Sequence, residues 1–404
     1  MNNRYIKIIS FLFFILLLSI ELIPNIGAVD KIGPQWLFLS LLNSLIILYN
    51  TYYIFFDFKT LLNSKIFLSY FGFVIICTLS IFFAINKVES LNYFSRIIII
   101  FFTFINFLIL QKKINLNAIP WVLVILLTIE SLSIFNQFLE LYDPNSEFGR
   151  NSKLIGVAAN INIAGFSIAL LLPFAIQLLI KSKNLVKLIL IAIISISSFS
   201  AFLTGSRGAT LSVTLIFIGY IIRTILLKSD IRQKLNTSIL IIVPLLISIV
   251  TTEILFESMR YTYRMNQIVE RGSNSRLKYY EDTFESFKEN PIIGIGIGNW
   301  KLNSIEKGKR HIEGYIVPYH AHNDFLQLLA ETGILGLISY ISIFLFSFLG
   351  LLKLKKPNNN SILFSCLMFL CVYLLDANLN FPIARPIMQI KLALILAILV
   401  KNEK

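Results

Sequence analysis

The stretch Tyr319–Gly336, YHAHNDFLQLLAETGILG, ends the one long polar segment of the chain and runs directly into an apolar stretch. The chain has three histidines, and His311, His320 and His322 all fall in the last residues of that polar segment. A titratable group therefore stands where the sequence turns from polar to apolar. This boundary predicts a helix that enters a membrane and carries a titratable histidine, a candidate base, at its polar end.

A helix running on from His322 predicts one continuous stripe of side chains. At about 100° per residue, Leu326, Leu329, Gly333 and Gly336 lie within roughly 40° of the direction of His322. Glycines on such a stripe allow a neighbouring helix or a lipid chain to approach the backbone closely. The alternative is a histidine that only tolerates the boundary, with glycines used for packing.

Composition places the whole chain in a membrane. Of its 404 residues, 56% are hydrophobic and 14% are charged, which is far from a soluble domain. Apolar runs recur from end to end, so we predict an all-α, polytopic transmembrane bundle of about twelve spans. The predicted spans are 6–23, 35–56, 65–85, 97–110, 117–139, 160–180, 185–204, 209–227, 237–256, 333–352, 361–376 and 386–401.

The positive charges predict the orientation of these spans. The net charge is +14, but the lysines sit at span ends and no basic helix with interleaved aromatic residues is present, so nucleic acid is not an expected partner. With the N-terminus inside, 18 of the 36 Lys and Arg residues lie at cytoplasmic ends and 8 in the short outer segments. Both termini are then cytoplasmic. We predict membrane helices one to nine in 1–256, an extracytoplasmic loop domain in 257–322, and helices ten to twelve in 323–404.

The outer segment has a predicted structure of its own. Over 275–288, apolar side chains recur at spacings of three and four, as in an amphipathic helix: Leu277, Tyr280, Phe284 and Phe287. Pro291 ends this helix. The alternation of glycine and isoleucine over 294–298 then excludes a stable helix. It predicts either a tight loop packed against the helix or backbone laid beside a ligand.

Arginines at the predicted outer face are candidates for binding an anion. Arg207 stands between two apolar runs in Thr204–Gly208, TGSRG. Arginine at the edge of hydrocarbon is costly, and its planar fork suits phosphate oxygens; the alternative is an arginine that reaches up to lipid head groups. Arg276, which begins the amphipathic helix, is a second candidate for binding an anion. The alternative is a solvated surface charge. Arg271, with Arg260 and Arg264, would attract an anionic lipid head.

The histidines offer two kinds of chemistry. One histidine acting as a general base fits best, because its ordinary pKa lies near ambient pH. A metal site is the alternative, although no acidic or cysteine partner has matching spacing. Glu130, in the middle of the fifth span, is either functional or paired with a neighbouring helix. The polar turn 376–385, which includes Arg385, is a further candidate lining of the outer cleft.

These residues together resemble the superfamily of O-antigen ligases and polymerases, which are integral-membrane glycosyltransferases. The family pattern is His, then Asn, Ser or Gln, nine residues, Gly, two residues, and a small residue or Tyr. His322-Asn323, residues 324–332, Gly333 and Gly336 fit it without a gap. The settings of Arg207 and Arg276 resemble those of the two functional arginines of the family. The resemblance covers roughly 155–340.

The resemblance implies an inverting transferase in the bacterial inner membrane, acting at its periplasmic face without a metal or another cofactor. It implies an undecaprenyl-diphosphate-linked glycan donor and lipid A-core or a similar acceptor. It assigns catalytic roles to His322, Arg207 and Arg276. Candidate substrate-binding residues are Arg271, His320, Asn323, Gly333 and Gly336.

Two alternatives to a ligase stay open from the sequence. A polymerase would share the donor and extend repeat units, and the shared motif does not encode the choice of acceptor. A flippase for a lipid-linked glycan would also need arginines and a lipid groove. A flippase is disfavoured, since transporters of that kind often show repeat-related halves and charges at mid-membrane depth. This chain shows no repeat and only Glu130 deep inside.

Overall fold

The computed structural model describes residues 3–24, 32–53, 61–141, 154–256, 274–308, 318–353 and 361–403. Within these residues the chain forms fourteen α-helices joined by short loops and 3-10 turns, with no strand. The helices are α1 (Asn3–Leu18), α2 (Gly33–Tyr53), α3 (Lys65–Phe82), α4 (Lys87–Leu110), α5 (Ile119–Leu141), α6 (Ile161–Lys181), α7 (Asn184–Leu203), α8 (Arg207–Leu227), α9 (Ile231–Phe256), α10 (Asn274–Glu289), α11 (Trp300–Gly308), α12 (Asp324–Lys353), α13 (Ser361–Leu379) and α14 (Pro386–Asn402).

The predicted all-α membrane fold is confirmed. Each of the twelve predicted spans coincides with a helix, and ten of the described helices are long and apolar enough to cross a membrane. The other two are α2 and α14. Helix α2 carries buried Gln35, Asn43 and Asn50, and α14 has only 17 residues. Two of these amides bond to α4: Asn43 Nδ2 donates to Thr103 Oγ1 at 2.9 Å, and Asn50 Nδ2 donates to Asn106 Oδ1 at 3.2 Å, so their NH2 groups are satisfied.

The described helices form two compact units. The first comprises Met1–Ile114, Arg271–Leu354 and Ala377–Lys404. Its central helix is α14, whose side chains are buried from Pro386 to Val400. Lys391 of α14 forms a buried ion pair with Glu21, with 3.2 Å between Nζ and Oε2. A charge this deep is tolerated because it is paired.

The second unit comprises Asn115–Glu270 and Lys355–Asp376. Helix α6 lies at its centre, buried almost throughout. The Tyr220 hydroxyl of α8 donates to Pro173 O of α6 at 2.6 Å. Gly165 allows α6 to approach the start of α8, because a Cβ there would lie 2.7 Å from the Cβ of Ala209 and 2.8 Å from Thr204 Oγ1. Small residues at a helix contact bring backbones close in this way.

The loop between the membrane helices contains both predicted elements. Helix α10 matches the predicted amphipathic helix at 275–288. The alternation over 294–298 is a non-helical segment, here called the glycine loop, in which Gly294, Gly296 and Gly298 all have positive φ. Ile295, Ile297 and the glycines are buried. The glycine loop is therefore a packed loop.

Candidate functional site

Helix α12 begins at Asp324, two residues later than the stripe prediction assumed. Asn323 caps it, because its Oδ1 accepts from Leu326 N at 3.0 Å. The Asn323 amide also donates to Asn378 O at 3.4 Å, and Asp324 Oδ2 accepts from Ile383 N at 3.0 Å. The start of α12 is thus bonded to the 378–383 turn. The prediction that the helix runs on from His322 is wrong.

His322 has left-handed backbone geometry, with φ of 57°. A bulky residue in this region carries strain and persists only where its neighbours hold it. On one side Ala321 N donates to Gln327 Oε1 at 3.2 Å, and on the other Asn323 caps the helix. His322 is held between two fixed neighbours.

Phe381 connects the two histidines. The His320 ring stacks on Phe381 with a centroid separation of 4.3 Å, and the His322 ring meets it edge-on at 5.1 Å. Tyr279 of α10 lies nearly parallel to the His322 ring at 6.5 Å. Arg385 lies over the Phe381 ring at 4.9 Å. The histidines therefore face different groups: His320 is enclosed by the 381–385 turn, and His322 lies toward α10.

Both imidazoles are neutral at ambient pH. Burial lowers the pKa of His320 to about 3, with smaller contributions from Arg385 and His322. Burial also lowers the pKa of His322 to about 4, helped by the nearby Arg276 guanidinium. Desolvation and a like charge both disfavour the imidazolium. Nδ1 of His322 is buried and accepts or donates no hydrogen bond within the described part of the chain.

The structure brings Arg276 and His322 together. Arg276 lies in the first turn of α10 and is half-buried. Its charge acts on the His322 imidazole, and Tyr279, one turn further along, stacks on the same ring. A neutral base and a permanent cation thus share one site, which suits a reaction that releases a proton and an anion together.

Sequence reasoning missed the carboxylate that organises this region. Glu331 is buried, and its Oε2 accepts from Gly298 N at 2.9 Å. Its Oε1 accepts from Trp300 N at 3.0 Å and from Gln327 Nε2 at 3.2 Å. Gln327 in turn holds Ala321 N. The available signal was the spacing of Asn323, Gln327 and Glu331, since polar residues four apart share one side of a helix.

Gly333 marks a break in α12, with φ of 65° and ψ of −167°. The Pro291–Gly296 turn replaces two helical hydrogen bonds there. Ile334 N donates to Pro291 O at 2.9 Å, while Ile295 N donates to Ala330 O at 3.0 Å and Gly296 N to Glu331 O at 2.9 Å. In an unbroken helix, Ala330 O would accept from Ile334 N. Backbone inserted into the ladder is a recognised cause of a kink.

The predicted stripe is consequently not continuous. A Cβ on Gly333 would meet the backbone of Ile292, and one on Gly336 would meet the Thr332 side chain. The close approach that the sequence predicted at Gly333 is made by the protein's own backbone.

The other predicted residues lie elsewhere. Arg207 belongs to the second unit, where it is the first residue of α8 and is exposed. Ser206 caps that helix by accepting from Ala209 N at 3.5 Å. Glu130 is buried in α5 of the same unit. Arg271 and His311 lie outside the described residues. Among the described side chains, no group of three His, Cys, Asp or Glu could hold a metal ion.

Comparison with known proteins finds similarity to one family and to two curated relatives. Residues 189–341 match the profile of the O-antigen ligase family. The chain is 23% identical over 305 residues to a putative polysaccharide ligase of Rickettsia prowazekii (strain Madrid E), covering 72% of this chain and 70% of that protein. It is 26% identical over 313 residues to the ComP-specific O-oligosaccharyltransferase of Acinetobacter baylyi, covering 72% of this chain and 54% of that protein.

The matched region contains Arg207, Arg276 and His322. It begins in α7 and ends inside α12, so it includes the site and the glycine loop. Over residues 189–341 this membrane protein is similar to the O-antigen ligase family.

Proposed function

We propose that the protein is a ligase that transfers a glycan from an undecaprenyl-diphosphate donor to an acceptor hydroxyl at the extracytoplasmic membrane surface. The observation that carries this proposal is the pairing of His322, neutral because its pKa is lowered to about 4, with the Arg276 guanidinium. The family match over 189–341 supports the reaction class. Glycan transfer from a diphosphate needs a proton acceptor and a stabiliser of negative charge, and these two residues offer both.

The proposed reaction is a single displacement at the anomeric carbon. The acceptor oxygen forms a bond to that carbon, and its proton passes to the His322 imidazole. The bond from the anomeric carbon to the diphosphate oxygen breaks, and the polyprenyl diphosphate leaves with the electron pair. Attack from the face opposite the leaving group inverts the anomeric centre. The proton on His322 is then lost to solvent or to the departing diphosphate.

Arg276 has two effects in this scheme. Before the donor binds, its charge adds to the effect of burial, and together they lower the pKa of His322 and keep it deprotonated. Once the donor is bound, the diphosphate neutralises that charge and brings negative charge of its own, which raises the pKa of the imidazole toward ambient pH. His322 thus becomes a better base when substrate is present. Arg207 is proposed as a further ligand of phosphate oxygens because its setting resembles that of a functional arginine of the family and its planar fork suits them.

His320 is proposed to support the site without taking the proton. Its ring is stacked on Phe381 and its pKa is lowered further than that of His322. Replacement of His322 by alanine should reduce turnover by roughly 10²- to 10⁴-fold, the usual range for a positioned base. The His320→Ala variant should lose far less. The assay is transfer from purified lipid-linked donor by protein in lipid vesicles, with folded protein matched between variants.

The opposite ranking of the two variants would overturn the assignment of the base. Transfer that is lost with a chelator and restored by one divalent ion would overturn the metal-free part of the proposal. Deletion of the gene tests the acceptor. Surface glycan that disappears while lipid-linked polymer is retained indicates a ligase, whereas surface chains shortened to a single repeat would indicate a polymerase instead.

A further inference from the structure

Helix α10 has three chemically different sides. One side packs on the protein: Thr283 and Ser286 are buried, and Trp300 Nε1 donates to Thr283 Oγ1 at 2.8 Å. Tyr279 on this side meets the Trp300 ring edge-on at 6.0 Å. The contact side of this amphipathic helix therefore carries small polar residues and one aromatic ring.

The apolar side of α10 points away from the protein. Leu277 is 56% exposed and Phe284 is 49% exposed. These two residues are seven apart and so share one direction to within about 20°. Tyr280 and Phe287 flank that direction and are half-buried. An amphipathic helix in a soluble protein buries this side against its core, which α10 does not.

The third side is charged. Glu281 and Glu285 are exposed and lie about 40–80° from the direction of Leu277, on the side opposite Tyr280 and Phe287. Lys288 stands between the apolar and charged sides, with its Nζ 4.9 Å from the centroid of the Phe284 ring. Its stem covers apolar surface while its charge stays at the boundary. Around α10, the side packed on the protein is thus followed by an exposed apolar side and then by a charged side.

Exposed apolar residues continue along the chain from α10 to the turn that is bonded to α12. Ile292, which follows α10, is 60% exposed, and Pro291 O accepts from Ile334 N of α12 at 2.9 Å. Ile334 and Ile338 are exposed on the part of α12 that is apolar enough to cross a membrane. Exposed apolar residues thus occur on α10, at Ile292, and on the part of α12 to which Pro291 is bonded.

We propose that α10 lies in the membrane surface, with lipid covering its apolar side. A helix with protein on one side, lipid on the second and water on the third needs this arrangement of residues. The occupant is lipid rather than another protein because the exposed apolar residues adjoin α12, a helix long and apolar enough to cross a membrane. If the proposed function holds, this position places Arg276 and Tyr279 at the level where the head group of a lipid-linked substrate enters.

The test measures whether lipid or water surrounds four positions of α10, and Ile292 beyond it, in the full-length protein. The native cysteines are replaced by Cys77→Ala, Cys366→Ala and Cys371→Ser, and the protein is placed in lipid nanodiscs. Nitroxide labels are attached after Leu277→Cys, Phe284→Cys or Ile292→Cys. Matched controls on the charged side of the same helix are Glu281→Cys and Glu285→Cys. Power saturation then compares access of oxygen, which concentrates in lipid, with access of a water-soluble nickel chelate.

We expect the oxygen-to-nickel ratio to be several-fold higher at positions 277, 284 and 292 than at 281 and 285. Equally low ratios at all five positions would overturn the proposal, because α10 would then be surrounded by water, and equally high ratios would overturn it because no side of the helix would then face water. Low access of both reagents at 277 and 284 would overturn it too, since protein would cover that side. If the cysteine-free protein fails to fold, fluorescence quenching by bromine-labelled lipids is compared between Phe284→Trp, Glu285→Trp and the native protein, whose three tryptophans give the background; stronger added quenching at 284 than at 285 supports the proposal, and equal added quenching overturns it. None of these outcomes depends on enzymatic activity.

Discussion

Glu331 and Gly298 lie 33 residues apart in the sequence and are joined by a hydrogen bond of 2.9 Å from Gly298 N to Glu331 Oε2. The other carboxylate oxygen accepts from Trp300 N and from the Gln327 amide. A single buried carboxylate thus holds the glycine loop, the start of α11 and the segment between the two histidines. This connection makes Glu331 a structural determinant of the site.

Replacing Glu331 by glutamine should destabilise the protein. The amide keeps the shape of the side chain but turns an NH2 group toward backbone N–H donors, so one of them loses its acceptor. We expect a loss of about 1–3 kcal/mol, the cost of one buried unsatisfied donor. Thermal unfolding in nanodiscs measures it.

The matched control is Glu89→Gln, the same substitution at a half-exposed carboxylate. Glu89 Oε2 is 2.7 Å from the Lys301 ammonium, with both side chains partly exposed, so its loss should cost less than about 1 kcal/mol. Equal melting temperatures for Glu331→Gln and wild type would mean that Glu331 is not the anchor described above.

Replacing Gly333 by alanine should be strongly destabilising. Its φ of 65° with ψ of −167° is accessible essentially to glycine alone, and an added Cβ would meet the Ile292 backbone. Backbone strain by itself contributes about 1–3 kcal/mol. Gly72 of α3 serves as the control, because nothing lies within 4 Å of the position of its Cβ. Gly72→Ala should be neutral or stabilise the helix by up to about 1 kcal/mol. An unchanged melting temperature for Gly333→Ala would contradict the described break, in which the Pro291–Gly296 turn replaces helical hydrogen bonds at Gly333.

The pH dependence of transfer should follow the neutral form of His322. Its lowered pKa of about 4 places the acid limb of kcat/KM near pH 4, well below the limb expected for an ordinary histidine. Activity is retained above that pH and lost below it, because protonation removes the base. The limb in kcat should lie at higher pH, since the bound anionic donor stabilises the imidazolium. A limb near pH 6.5 in kcat/KM would contradict the buried environment of His322.

Arg276 provides a separate test of the same electrostatics. Arg276→Gln removes the positive charge that lowers the pKa of His322, so the acid limb of kcat/KM should move up by as much as about one unit. Arg276→Lys retains the charge and should leave the limb in place. If the acid limb of kcat/KM stays at the same pH in Arg276→Gln as well as in Arg276→Lys, the charge of Arg276 does not act on His322.

Arg207→Lys tests whether Arg207 grips phosphate. Lysine keeps the charge but loses the planar fork, so turnover should fall roughly ten- to hundredfold if two phosphate oxygens are bound at once. Ser206 caps α8 independently of this side chain, so folding should be unaffected. Unchanged turnover at equal protein levels would mean that Arg207 only reaches lipid head groups.

The sequence by itself determined the membrane fold, since apolar length is a local property and each of the twelve predicted spans coincides with a helix. The resemblance to the O-antigen ligase family was also visible in the sequence, because its motif depends only on residue types and their spacing along the chain. The amphipathic helix at 275–288 was predicted from spacing alone and corresponds to α10. The spacing did not reveal that Leu277 and Phe284 would face outward, because periodicity gives the apolar side of a helix but not what covers it.

Only the tertiary structure decided the geometry at the histidines. The start of α12 at Asp324, the left-handed His322 and the break at Gly333 all replace the continuous helix that the spacing predicted. Each of them depends on a partner distant in the sequence: Asn378 for Asn323, Pro291 for Ile334, and Gly298 for Glu331. Local periodicity carries no information about such partners. The same holds for the lowered pKa of His322, because burial and the approach of Arg276 arise only when α10 packs beside α12.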